Sequence, residues 1–387
     1  MTMILDGTAG ITFNDASIQN TTAVVTAFKN RIINGAMVID QRNAGASATP
    51  AASTYTVDRF QYQSNLASKF QIGQNLNSVT APTGFTKYLG FQTAAAVTVA
   101  AGDYFALVQP IEGYNMADIL STWNTSTPTT VTLSFWVRSS LTGTFGGTLQ
   151  GISGSYRSYP FTYTIAAANT WTYITVTVAG DTSAPSSGWI TNNGQGLNVW
   201  FGLGCGTTYS GTAGSWLSVN YLTATGATSV VGTLGATFYI TGIQLEKGST
   251  ATSFDYKPFP NELALCQRYY SKSYNHDVVP GTATQVGMEV CGFQGASGLG
   301  GAYGNIRFPV KMRTTPGTIN IWDGAGTANT HSYTYGGAGS AQTISNGGSW
   351  WGSGTPFNTS HSGFYMRPTT TQPSAWNYVH YTADAEL

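Results

Sequence analysis

Charge is the scarcest commodity in this chain. Lys, Arg, Asp and Glu supply 8% of its 387 residues, 16 basic against 16 acidic, and the formal net charge is zero. Charged side chains ordinarily keep a surface hydrated and apart from its neighbours. A chain that gives them up is expected to spend its surface on sister copies or on an uncharged ligand. The same scarcity argues against a nucleic-acid partner, because phosphate neutralisation needs clustered Lys and Arg. Even Lys311-Met312-Arg313 carries only two charges. Cysteine is also rare. Cys205, Cys266 and Cys291 are odd in number and widely spaced, which speaks against a disulfide framework or a metal knuckle and for buried free thiols made in a reducing cytosol. Long apolar runs are missing too. Met1–Asp6 lacks a basic start and is followed by Gly7, Thr8 and Asp15. Neither a secretory signal nor membrane insertion is expected, and a protein working outside a cell would leave by lysis or particle release.

Aromatic residues, by contrast, reach 13%, and there are 47 glycines. Tyr and Trp suit interfaces and sugar faces, where one edge is apolar and the other polar. Glycine with β-branched Thr and Val favours strands and turns over helices. The length admits two or three compact domains.

Residues 1–33 read as an attachment and oligomerisation segment. Gly10-Ile11-Thr12-Phe13 is strand-like, and Thr21 or Thr22 can cap a short helix from about Ala23 to Ile33. Val25, Phe28 and Ile32 fall on one face of that helix. Alone it would be marginal in water, so its stripe needs sister copies or the next domain. Residues 34–257 read as strands divided by Gly, Asn, Ser and Pro. Val131, Leu133, Phe135 and Val137 alternate with polar or amphipathic neighbours, as do Ile174, Val176 and Val178, and Leu197, Val199, Phe201 and Leu203. Within Phe238–Leu245 the apolar parity shifts at Gly242, which predicts a β-bulge. Many short strands over this span predict a jelly-roll sandwich of two sheets. Pro258-Phe259-Pro260 breaks the pattern, and Asn261 is placed to cap a helix from Glu262 to about Tyr270, within a linker spanning 258–274. Residues 275–387 form a second, C-terminal β-sandwich-like domain, with strands expected at Gln285–Phe293, Asn305–Val310, Thr318–Trp322, Ser362–Arg367 and Trp376–Tyr381. The expected fold class is therefore all-β.

Several of these segments resemble a known module. Asn34-Gly35, Gln41-Arg42 and Val57-Asp58-Arg59-Phe60, then Leu133-Ser134-Phe135-Trp136-Val137-Arg138, then Trp171 to Gly180-Asp181-Thr182, resemble the jelly-roll, carbohydrate-binding-like module of tail and fibre proteins of tailed bacteriophages. The most specific match is Ile240-Thr241-Gly242-Ile243-Gln244-Leu245-Glu246-Lys247-Gly248, continuing to Phe254, and Glu262 to Tyr270 is similar to the segment that closes the module. The resemblance covers most of residues 34–274. Gly10 to Thr21 and Tyr381 to Leu387 look like the two ends of such fibre proteins. It implies a virion protein made in the host cytoplasm, often trimeric, joined to other virion proteins through its N-terminus and often touching host-surface polysaccharide. A tail fibre or receptor-binding protein is the leading expectation. A head fibre or capsid-decorating cement protein is the alternative.

No catalytic residues are expected. A glycan-cleaving site needs two carboxyl groups across a sugar, and Asp58, Asp103, Glu112, Asp118, Asp181, Glu246 and Asp255 show no such pair. Asp58 beside Arg59 and Glu246 beside Lys247 read as ordinary ion pairs or solvated strand ends, and Asp181 as a turn residue. His276-Asp277 is a loop or interface pair, and Cys291 a core residue. The four histidines lack metal-ligand spacing. Asp181 and Asp255 are the weighed Ca²⁺ ligands, but no metal and no cofactor are expected. Aromatic rings remain as contact residues for a glycan or partner. Trp200 lies off the core phase set by Val199 and Phe201, with Trp189, Tyr209 and Trp216 nearby in sequence, and Trp350-Trp351 sits in a Gly/Ser-rich loop.

Overall fold

Alternating sequence becomes alternating strands. The computed structural model describes residues 4–6, 10–12, 18–19, 29–51, 53–294, 304–335, 343–350, 357–366, 368–369 and 375–387, some of them by backbone alone. The fold is all-β. The sandwich is built from β1 (Thr54–Tyr55), β2 (Gln61–Ser64), β3 (Phe70–Gln74), β4 (Leu89–Thr93), β5 (Tyr104–Glu112), β6 (Val131–Ser139), β7 (Gly143–Gly151), β8 (Arg157–Ile165), β9 (Thr172–Val178), β10 (Gln195–Cys205) and β11 (Thr237–Lys247). One sheet has six strands in the order β8-β7-β10-β5-β2-β1, and the other has five in the order β9-β6-β11-β4-β3. Phe105 and Leu107 of β5 and Leu197, Val199 and Phe201 of β10 share one core with Leu133, Phe135 and Val137 of β6. Phe135 meets Phe201 edge-on at 5.1 Å across it. The parity shift in β11 is real: its register against β6 slips between Thr241 and Gln244, and Gly242 supplies φ +62° there.

The expected helix over Ala23–Ile33 does not extend through residues 29–33, which hold no helical turn and bend at Ile32 and Ile33. Arg31 N–H donates to the Leu245 carbonyl at 2.8 Å, and Ile32 is fully buried in the sandwich core. Ile32 therefore completes its own domain and is not free to meet a sister copy. Val25 and Phe28 lie outside the described residues.

The helix after the sandwich, α1, spans Phe259–Gln267 and starts three residues earlier than expected. Pro258 occupies the cap position instead of Asn261, and Pro260 in the first turn has the fixed φ that helix starts favour. Glu262 accepts from the Asn34 N–H. Cys266 and the following Tyr269 pack against Ile33 and Ile39, so the segment is wedged against the sandwich. Beyond it, the Ala375–Asp384 strand pairs with Tyr270–Lys272, Glu289–Gln294, Thr318–Trp322 and His331–Tyr335. A separate small sheet joins Gly304–Arg307, Gly363–Met366 and Phe357–Ser360. Ile306, Phe308, Ile321, Phe364, Val379 and Tyr381 form this unit's core.

Much of the chain's sparse charge collects at the seam between the two units. Arg59, at φ +71° in the left-handed region that residues with a Cβ rarely adopt, is 1% exposed and pairs with the Glu386 carboxylate. Its guanidinium carbon lies 3.5 Å from the centre of the Tyr269 ring and its NH2 group donates to the Pro110 carbonyl at 2.6 Å. Arg42 reaches Asp384 at 2.9 Å and Glu386 at 3.3 Å, over the Tyr270 ring. Arg268 grips Glu112 with two bonds of 2.9 and 2.5 Å, and Tyr269 donates to the same carboxylate at 2.6 Å. Asp58 and Glu246, read from the sequence as paired with the next residue or solvated at a strand end, are neither: they are 0% and 3% exposed, and the adjacent-residue ion pairs are not formed. Asp58 accepts from Gln41 N–H at 2.9 Å while Arg59 turns to Glu386, and Glu246 accepts from Thr252 Oγ1 at 2.7 Å and not from Lys247.

Removing one partner of a buried pair strands the other charge, at a cost of about 3–5 kcal/mol. Glu386→Met, which leaves the buried Arg59 without its carboxylate, is therefore expected to destabilise the protein by about that amount, and Arg59→Met/Glu386→Met by clearly less. Urea unfolding of both variants checks this; equal losses would contradict it. A second expectation concerns acid. Burial pushes His331 down to about 4 and also lowers His380. The unfolded chain then takes up a proton below pH 6.5 that folded His331 refuses until about pH 4. Stability is complete above 6.5 and falls on acidification, by up to about 1.4 kcal/mol per pH unit from one such group. Thermal unfolding from pH 7 to 5 should show this slope, and His331→Gln should flatten it.

Candidate functional site

The outer face of the six-stranded sheet carries the site. On β10, Leu197, Val199 and Phe201 point into the core, which sends Asn198 and Trp200 outward. Register then sets their neighbours. Asn198 lies opposite Pro110 on β5 and Gln150 on β7, while Trp200 lies opposite Val108 and Thr148. Gln61 and Gln63 of β2 continue the surface.

Part of this face is occupied by the chain itself. Gly146 and Gly202 carry no side chain, and a Cβ on either would come within 2.5 Å of Thr223 Oγ1. Their absence lets residues 207–224 lie on the sheet. That segment brings Tyr209, Asn220 and Leu222 to the edge of a groove of about 290 Å³ floored by Trp200. Trp200 is 6% exposed and packs with Ala106, Val108 and Leu222, while Tyr104 meets Tyr209 edge-on at 5.1 Å. Gln150 ties the floor together: its Oε1 accepts from Trp200 Nε1 at 3.1 Å, and its Nε2 donates to Asn220 Oδ1 at 2.9 Å. Gln195 donates to Asn198. Both carboxamides are therefore held in one orientation.

The groove is lined by rings, aliphatic groups and six carboxamides, from Gln61, Gln63, Gln150, Gln195, Asn198 and Asn220, and by no acidic, basic or histidine side chain. The carboxylates weighed from the sequence are committed elsewhere. Asp181 is 1% exposed and takes a two-pronged Arg157 contact at 2.6 and 2.7 Å, besides its turn bond from Ser183 N–H. Asp103 accepts from Asn65 and the Ala100 N–H, Asp118 pairs with Arg31, and Asp255 accepts from Asn30 N–H. Among the described residues no three His, Cys, Asp or Glu side chains converge on a metal-sized point. His276 sits against the Phe259 ring, and Cys205 is half-buried beside Tyr104 and Tyr209 with its thiol held well above its ordinary value by burial.

Of the rings singled out in the sequence, Trp200 and Tyr209 meet in the groove. Trp189 and Trp216 do not. They join Trp123 in a three-indole cluster with centroids 4.8, 5.2 and 5.7 Å apart. Each indole N–H is spent on a backbone carbonyl, of Thr129, Ser183 and Ala179 respectively for Trp123, Trp189 and Trp216. These two rings pin loops to the core. Trp350 ends a strand whose side chains are not described, and Trp351 lies outside the described residues. Sequence reading missed the carboxamides. Asn198 shares Trp200's phase on β10, and that alternation was the available signal; Gln61, Gln63 and Asn220 are brought in only by strand order and loop folding.

A second cleft, of about 330 Å³, opens between residues 40–57 and β3. Its walls are mostly short side chains such as Ala46, Ala48 and Pro50, with Tyr55 its only ring.

No family model and no curated protein matches the chain. Among solved structures, it is similar to the enzymatically active domain of bacteriophage CBA120 tailspike protein 4, at 12% identity and a TM-score of 0.29 over 58% of this chain and 22% of that one. It is also similar to a putative sugar binding protein from Bacteroides thetaiotaomicron, at 12% identity and a TM-score of 0.33 over 57% of this chain and 100% of that one. A family 11 carbohydrate-binding module from Clostridium thermocellum, in complex with a mixed-linked tetrasaccharide, matches at 12% identity and a TM-score of 0.26 over 53% of this chain and 99% of that one. Overlap this low does not equate folds, and the chain spans about a fifth of the tailspike domain's length.

Proposed function

We propose that this chain is a non-catalytic saccharide-binding protein whose contact site is the groove over Trp200. The observation that carries the reading is the pairing of aromatic rings with six carboxamides in a cleft without an ionisable side chain other than tyrosine. Carboxamides donate and accept at once, as sugar hydroxyls require, and Tyr209 and Tyr104 offer ring surface for an apolar sugar face. Glycoside cleavage uses two carboxyl side chains across the bond, and no side chain lining the groove is a carboxyl group. The sequence resemblance extends the proposal to a phage virion, as a homotrimeric tail fibre or receptor-binding protein contacting host-surface polysaccharide, with a head fibre or cement protein as the competing assignment.

Binding is measured on an array of neutral and acidic oligosaccharides and on polysaccharide from the host envelope. Tyr209→Ala and Gln63→Ala, at half-buried positions, are each expected to weaken binding about five- to tenfold, roughly 1–1.4 kcal/mol. Trp216→Phe is expected to leave affinity unchanged. Loss of binding in Trp350→Ala or Trp351→Ala with no effect of the groove variants would move the contact to the Gly/Ser-rich loop. Virions lacking the protein separate the two assignments: failed adsorption fits a receptor-binding fibre, and normal adsorption with lost heat or salt resistance fits a cement protein.

A further inference from the structure

Each sheet of the sandwich ends in two edge strands, and an edge strand offers a row of unpaired N–H and C=O groups to any extended chain. Three of these edges are defended. β1 is two residues long. β3 is bridged by Ala48, which exchanges hydrogen bonds of 2.9 and 2.8 Å with Ile72. β8 contains Pro160, and its Ser158 and Pro160 are bonded by Leu217 and Gly214.

β9 is different. Among the described residues, no backbone hydrogen bond from another segment reaches its outer edge. Its seven residues, Thr-Tyr-Ile-Thr-Val-Thr-Val, include no charge, proline or glycine to repel a passing strand. Tyr173, Thr175 and Thr177 are exposed on its outer face, Tyr173 by 44%. On the inner face Ile174 and Val176 pack against the core yet remain only half-buried, because the sandwich stops beside them.

We propose that β9 pairs antiparallel with β9 of a second copy of this chain, across a two-fold axis at Thr175, merging the two five-stranded sheets into one. A two-fold contact demands a strand complementary to itself, and this sequence is. With Thr175 opposite its own counterpart, Ile174 faces the partner's Val176 and covers the apolar surface that one sandwich leaves open. Tyr173 faces the partner's Thr177, an aromatic against a β-branched residue. The absence of charge means that no like-charge contact opposes the meeting. An unrelated extended peptide would satisfy the backbone but not this mirrored register. The contact is two-fold and joins copies in addition to any trimer held together elsewhere in the chain, and it lies on the sheet opposite the saccharide groove.

Sedimentation velocity of the full chain over a wide concentration range is expected to show a concentration-dependent doubling of the smallest species, whether that species is a single chain or a trimer. Thr175→Lys sets two ammonium groups opposite each other and is expected to raise the dissociation constant at least about tenfold, with an unchanged circular dichroism spectrum. Thr175→Glu does the same, and an equimolar mixture of the two variants restores the dimer. That recovery distinguishes a broken interface from a misfolded strand. Amide exchange at residues 172–178 slows with dimer formation. A wild-type species whose mass never doubles, a doubled assembly that neither substitution weakens, or variants that fail to reassociate on mixing would each overturn the proposal.

Discussion

The buried ion pair between Arg59 and Glu386 joins residues 327 positions apart and sets the relation of the two units. An unpaired guanidinium at that depth would be prohibitively expensive, so each side must supply its part: the carboxylate from the chain's last residues, the Tyr269 ring from beyond α1, and the Pro110 carbonyl from β5. Arg59 holds a left-handed backbone conformation to reach all three. Arg42, Glu112, Arg268 and Asp384 extend the same seam. A buried ionic seam contributes more to specificity of arrangement than to net stability, and here it lies at the end of β5, a strand that also floors the groove.

This placement explains how a nearly neutral surface coexists with so exacting an interior. The charges that a typical surface would scatter are drawn inward, and Asp58, Arg59, Glu112, Asp181 and Glu246 are each 3% exposed or less. The groove and the outer face of β9 present Gln, Asn, Thr and Tyr instead. On the six-stranded sheet such groups are gathered into a groove because glycines on β7 and β10 let a loop settle over part of the face. On the five-stranded sheet they line an open edge. The same compositional fact thus produces two kinds of surface, one concave and one extended, according to what the neighbouring chain covers.

Local pattern carried far where the residue period was simple. The strands around Leu133, Val199 and Ile319, the bulge at Gly242 and the break at Pro258 all lie where alternation or punctuation puts them. It failed where a partner distant in sequence decides. Residues 29–33 carry part of a helical stripe, yet a hydrogen bond from Arg31 to β11 goes with a non-helical path. Arg59 and Lys247 stand beside carboxylates in sequence but do not pair with them. Of the sandwich tryptophans and the tyrosine offered as contact residues, Trp200 and Tyr209 meet because strand register and a folded-back loop align them, whereas Trp189 and Trp216 are consumed by packing with Trp123.

The amino-acid sequence alone determined the all-β class, the phase of the strands and the poverty of charge, because each follows from composition or from a period of two. Which polar groups converge, which carboxylates are neutralised and which strand edge remains open were decided only by the tertiary structure. The physical reason is that these properties belong to pairs of segments tens to hundreds of residues apart. Their contact energies exist only once sheet order and loop paths have brought them together.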